Sequence, residues 1–129
     1  MRHLSLLLAC ALLSASVCFA EPADKDQRTR WLSLAKLATD VKELNRCTAV
    51  VSIEDLAAFE PIVRAYNRKT DELAKGIEEF VSRYADQRGK QETILGFKYR
   101  VWDVSLQAGT EKARPVSALN RDVCRALSR

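Results

Sequence analysis

Nucleophiles, general bases and metal ligands are the side chains through which a small protein does chemistry, and this sequence is poor in them. It has one histidine, His3, one methionine, Met1, and four cysteines, Cys10, Cys18, Cys47 and Cys124. Met1, His3, Cys10 and Cys18 all fall within residues 1–20, MRHLSLLLACALLSASVCFA. That stretch has the layout of a secretory signal peptide. Arg2 and His3 form a short positive start, Leu4 to Val17 an apolar run broken only by serines, and Cys18 and Ala20 are small residues where a signal peptidase reads. The run is short for a hydrocarbon core ~30 Å thick and lacks a cationic flank on its far side, so a retained anchor fits less well. A lipid-attachment site at Leu7-Leu8-Ala9-Cys10 would leave too short an apolar run before cleavage.

The domain expected after export, residues 21–129, therefore holds neither histidine nor methionine. Without imidazole, no Ser-His-Asp or Cys-His nucleophile can be assembled. Zinc, copper and haem sites that rely on histidine or methionine are excluded on the same ground. No glycine-rich phosphate loop occurs, and no metal or cofactor is expected.

Two sulfurs remain. Cys47 and Cys124 are expected to pair, because oxidising compartments keep disulfides closed. No C-x-x-C places a resolving thiol nearby, so a redox role is not expected. Chain entropy assigns such a long-range crosslink roughly 4.5 kcal/mol of unfolded-state destabilisation, a large share of the ~5–15 kcal/mol that holds an ordinary domain.

Glycosidase-type chemistry needs two carboxylates and no histidine. Glu54/Asp55, Asp71/Glu72 and Glu78/Glu79 are adjacent pairs, and adjacent helical residues point about 100° apart instead of converging. Glu60–Arg64, Asp71–Lys75 and Glu79–Arg83 place an acid four residues before a base, the spacing of an ion-paired, solvated helix face. Ser33 and Lys36 read S-x-x-K, but the leucines and alanines around them make an ordinary amphipathic pattern. No catalytic residue is expected.

Basic residues offer the better candidates. Arg114, Arg121, Arg125 and Arg129 recur at steps of seven, four and four, which on one helix makes a cationic stripe. Cations there also offset the helix macrodipole. As a functional surface the stripe would dock an acidic protein partner or an anionic envelope surface. Lys98 and Arg100, interleaved with Phe97, Tyr99 and Trp102, would extend it. The formal net charge of +4 falls short of the clustered excess of a dedicated nucleic-acid binder, so nucleic acid is not an expected partner.

The elements that must carry these residues read as helices. Four glycines and three prolines punctuate the chain lightly, which favours helices over a many-turned β fold. Leu34, Leu37, Val41 and Leu44 step by three and four, predicting a first helix over about residues 26–46. Thr48 to Val51 reads as a linker, and Ser52 as the cap of the next helix. Leu56, Phe59, Val63, Tyr66, Thr70, Leu73, Ile77, Phe80 and Tyr84 alternate threes and fours without a slip, a heptad seam with one polar position at Thr70. Pro61 predicts a kink or break between about 57 and 61. Helix two should end near Asp86, with Gly89 close by. Residues 92–107 fit both a half-buried strand and a helix. With no second strand to pair with, helix is the expectation. Gly109-Thr110 marks a break, and Pro115 opens a final helix over about 114–127.

The expected architecture is thus all-α. It is a small bundle of about four helices closed by one disulfide, with residues 1–20 as signal peptide and 21–129 as a single helical domain. A plain up-and-down bundle leaves Cys47 and Cys124 roughly 14 Å out of step, so a long hairpin of the second and third long helices, clamped by the terminal ones, is preferred. The expected function is that of a periplasmic or secreted, non-enzymatic protein-interaction module, such as an inhibitor, an immunity-type antagonist or an envelope accessory protein. The alternative is a carrier of envelope lipid or a small apolar ligand, held in a cavity between those two helices.

Overall fold

The computed structural model describes residues 25–129, so the segment expected to be a signal peptide lies outside the described residues. Helices α1 (Lys25–Val50), α2 (Leu56–Tyr84), α3 (Gln87–Gln91), α4 (Ile94–Lys112) and α5 (Arg121–Leu127) follow one another, with a 3-10 turn at Val116–Ala118. No strand occurs among the described residues, which settles 92–107 as helix: Thr93 caps α4 by accepting a hydrogen bond from the Gly96 amide at 3.3 Å.

Several boundaries differ from those predicted. α1 does not stop before Cys47 but continues to Val50, because Cys47 and Val51 are buried in an apolar cluster with Ile62 and Ala65 of α2. That burial outweighs the weak helix propensity of the β-branched Thr48-Ala49-Val50 stretch. α2 begins at Leu56 and runs through Pro61 without a break. The proline lies near the helix start and costs only the single bond its missing N–H would have given the Ala57 carbonyl. Ser52 is not the cap; Asp55 stands there, and α2 ends at Tyr84. Asp86 instead caps the short α3, its carboxylate accepting from the Arg88 and Gly89 amides at 3.0 and 3.1 Å.

The expected hairpin of α2 and α4 is not the organising unit. α1 is: it packs extensively on both, whereas α2 and α4 meet each other much less. Lys69 of α2 reaches Asp40 of α1 at 2.9 Å and Tyr84 bonds to Asp26, so these two helices are antiparallel. α4 lies parallel to α1. Gly109, read from sequence as a break, sits inside α4 where the two backbones touch. A Cβ there would lie 2.7 Å from the carbonyl carbon and Cβ of Ala38 and 2.8 Å from the Thr39 nitrogen.

Two apolar clusters fill the bundle. One joins Leu34, Ala38 and Val41 of α1 to Leu73, Ile77, Phe80 and Val81 of α2 and Phe97 and Val101 of α4. The other surrounds the disulfide. The heptad seam holds over Leu73, Ile77 and Phe80, but nearer the start of α2 the buried residues are Ile62 and Ala65, while Leu56 is exposed. A straight helix drifts about 20° per heptad from a 3.5-residue repeat, and the two halves of α2 face different neighbours.

Cys47 and Cys124 form a disulfide with Cα atoms 5.8 Å apart. The expected axial mismatch disappears because the last helix does not start at 114. Pro115 holds Arg114 out of helical conformation, and Asn120 provides the cap, accepting from the Val123 amide at 2.9 Å. Cys124 is therefore in the first turn of a short helix laid against the end of α1. The all-α bundle with one disulfide is as expected. A bond of this kind is compatible with an oxidising compartment.

Candidate functional site

The predicted cationic stripe does not exist as one surface, because Arg114 lies in the connection between α4 and α5. Its amide and its Nη1 donate to Glu43 Oε1 and Oε2 at 3.0 and 2.7 Å, and Arg46 donates to its carbonyl at 2.7 Å. The Glu43 side chain is only 5% exposed, so Arg114 neutralises a buried charge and pins the connection to α1. Periodicity did not single out Glu43, which carries a charge on the buried side of α1.

Other candidate cations are engaged too. Arg121 pairs with Asp55. Lys98 pairs with Glu78 at 3.4 Å, across the gap between α4 and α2. Arg100 pairs with Glu92 and lies 5.5 Å from the centroid of the Phe97 ring. Among the described residues, no carboxylate lies within 4.0 Å of Arg125 or Arg129, and these two are the uncommitted charges of the set.

Arg125 and Arg129 face a half-open cavity of about 330 Å³, formed where α5 crosses the start of α2. Arg121 and Ser128 share its rim, and Val51, Ala58, Pro61 and Ile62 supply apolar wall. Nothing in the sequence pattern joined these segments, since the disulfide is what brings them together.

A second feature lies on α4. Phe97, Val101, Ser105 and Gly109 form its buried face against the core. Leu95, Tyr99, Trp102 and Leu106 follow at four, three and four, forming a neighbouring apolar stripe. Leu95 and Tyr99 are 61% and 63% exposed, and Trp102 and Leu106 half-buried. With Ala74, Ile77 and Glu78 of α2, the first three of these border an open groove of about 290 Å³. The sequence signal was the surplus of apolar positions on α4 beyond what one core face uses. Of the residues named from sequence, Lys98, Tyr99 and Trp102 meet at this groove. Arg114, Arg121 and Arg100 do not join them.

The carboxylate pairs are placed apart on the surface, apart from half-buried Asp55, which is held by Arg121. None of the three expected i,i+4 ion pairs, Glu60–Arg64, Asp71–Lys75 or Glu79–Arg83, forms within 4.0 Å. Arg83 turns instead to Asp26 of α1 at 3.3 Å. Interhelical carboxylates compete well when a helix crossing brings them within reach of a long side chain. Asp26 also accepts from the Tyr84 hydroxyl and from Arg30 at 3.2 Å. The tyrosine bond, with the two guanidiniums behind it, holds the Asp26 carboxyl below the ordinary range. Burial, and then the same bond, pushes the Tyr84 phenol up. Ser33 and Lys36 are both exposed. Among the described residues, no three His, Cys, Asp or Glu side chains are grouped to hold a metal ion, and no helix is long and apolar enough to cross a membrane.

Comparison with protein-family models, curated proteins and solved structures finds no match for this chain.

Proposed function

We propose that this chain is an exported, non-enzymatic binding protein that docks a protein partner through the outer stripe of α4. The observation that carries this reading is the pair of large apolar side chains, Leu95 and Tyr99, standing more than half exposed beside the α2–α4 groove. A contiguous exposed apolar patch with a polar border is the mark of an interaction surface. Residues at i, i+4, i+7 and i+11 on a rigid helix suit a partner's amphipathic helix laid in the groove. The Lys98–Glu78 pair borders the apolar strip and would fix register more than affinity. Export is supported by the signal-like residues 1–20 and by the disulfide, and an exported chain would act in a periplasm or outside the cell.

A small apolar ligand carrier is the competing reading, and the same groove would serve it. At about 290 Å³ the groove is at the small end of ligand sites and open to solvent.

A photo-crosslinking side chain at Tyr99, in the native host, separates the two. Docking is expected to give one discrete protein adduct that is lost on Leu95→Lys and absent when the crosslinker replaces exposed Glu72. A lipid adduct would assign the carrier role. No adduct at Tyr99 beyond that seen at Glu72 would refute the docking reading.

A further inference from the structure

We infer that the cavity between α5 and the start of α2 binds the carboxylate of an apolar acid. It lies about 24 Å along α2 from the groove, at 1.5 Å per residue from Pro61 to Ile77. The inference is therefore independent of the docking reading.

Three features of the cavity specify this ligand. The first is charge. Arg121, Arg125 and Arg129 line it and no acidic side chain does. Asp55 neutralises Arg121, which leaves Arg125 and Arg129 as a pair of unmatched guanidiniums. Guanidinium forks bind carboxylates through two parallel hydrogen bonds.

The second is the wall below those cations. Exposed Ala57 and half-buried Ala58 and Pro61 supply its apolar surface, and behind them Val51 and Ile62, 6% and 1% exposed, belong to the cluster around the disulfide and hold that wall in place. A fully hydrophilic anion would leave that surface wet; a carboxylate carrying a hydrocarbon body would cover it. The cavity, about 330 Å³, is at the lower end of the range for small-molecule sites.

The third is an acceptor. Pro61 has no N–H, so the Ala57 carbonyl lacks its i+4 helical donor, and both residues line the cavity. A ligand with an N–H next to its carboxylate, as at a peptide C-terminus, would satisfy it. The shared chemistry is a carboxylate on an apolar body, whether from a free alkyl acid or from the last residue of a partner chain.

The test is an amide chemical-shift titration of the intact exported protein with octanoate, 1-octanol, and a leucine-terminated tetrapeptide as free acid and as amide. Saturable shifts at Ala57, Ala58, Ile62 and Ser128 are expected with at least one acid, with the matching neutral compound at least about tenfold weaker. Preference for octanoate assigns a free acid, and preference for the peptide acid assigns a C-terminus. The Arg125→Gln/Arg129→Gln double variant should lose at least about tenfold in affinity with its helical circular dichroism intact. Arg68→Gln/Lys75→Gln, elsewhere on α2, should bind as the native chain does. If neither acid gives saturable shifts, or if the Arg125/Arg129 variant binds undiminished, the inference is wrong.

Discussion

Gly109→Ala tests the central claim about the fold, that α1 and α4 meet backbone to backbone. On helix propensity alone the change should stabilise by about 1 kcal/mol. The structure predicts the opposite. The new methyl would meet the Ala38 carbonyl carbon and Cβ at 2.7 Å and the Thr39 nitrogen at 2.8 Å. None of these atoms can rotate away, and carbon atoms prefer separations of about 3.5–4.0 Å, so the helices must part by roughly an ångström. Overpacking costs about 1–3 kcal/mol and more where backbone must move. The packing of Val101 against Leu34, Ala38 and Val41 of α1 would loosen as well. The net effect should be a loss of about 2 kcal/mol, or roughly 10 °C in Tm for a domain of this size. Two other glycines calibrate it. At Gly96 a methyl meets only the Thr93 hydroxyl, at 3.3 Å, so alanine there should leave stability unchanged or raise it. At Gly76 it meets one Leu34 methyl at 2.6 Å, the end of a side chain that can shift, which places this variant between the others. Urea midpoints of the three variants, at constant m-value, give the order. A Gly109→Ala midpoint at or above that of the native chain would refute the close approach.

The other predictions concern the staple, the buried charge and pH. Cys47→Ser/Cys124→Ser opens a connection of 77 residues and should cost roughly 4.5 kcal/mol, read as a lower urea midpoint; an unchanged midpoint would mean the bond adds nothing to the fold. Arg114→Ala leaves the Glu43 carboxylate buried without its cation and should cost about 1–3 kcal/mol, whereas Arg125→Ala should fall within about 0.5 kcal/mol of the native chain. Equal effects in urea melts would return Arg114 to the surface set. Asp26 is held below its ordinary value, so its contribution is full above about pH 4 and is lost as pH falls through the folded value. Tyr84 is raised, so its contribution is full below about pH 10 and is lost as pH climbs through the folded value. Tyr84→Phe should flatten both limbs of a midpoint-versus-pH curve, and a variant that keeps both would show the bond to be irrelevant.

What the sequence disclosed follows from what its patterns measure. Apolar periodicity reports which face of a helix is buried, and the faces of α1 and of the second half of α2 were legible from Leu34 through Phe80. It does not report which helix lies on that face. The central place of α1 depends on Ala38 and Gly109 letting two backbones touch, and a glycine read along the chain looks like a stop. Pairing of Cys47 with Cys124 could be inferred from elimination, but its geometry could not, because the start of α5 is set by Pro115 and Asn120 acting together. The arginine spacing misled for a related reason. Steps of seven and four define a stripe only if one helix spans all four residues, and Arg114 is drawn out of that helix toward a buried glutamate. Of the candidate binding residues, Lys98 and Trp102 border the groove and Arg121, Arg125 and Arg129 the cavity. The apolar wall under those arginines comes from segments about sixty residues or more away in sequence.

The exposed stripe on α4 follows from the same topology. A helix packed on one neighbour needs one apolar face, and Phe97, Val101, Ser105 and Gly109 supply it. Leu95, Tyr99, Trp102 and Leu106 add a second face that α2 covers only at its edge, because α2 and α4 meet each other much less than either meets α1. Polar residues at positions 95 and 99 would fit the fold equally well, since neither side chain enters the core. Large apolar side chains there gain nothing for the isolated domain and expose it to self-association. The docking proposed above would give them a role. Arg125 and Arg129 differ from the other candidate cations: Lys98, Arg100, Arg114 and Arg121 each meet a carboxylate, whereas these two sit unmatched over the cavity between α5 and the start of α2.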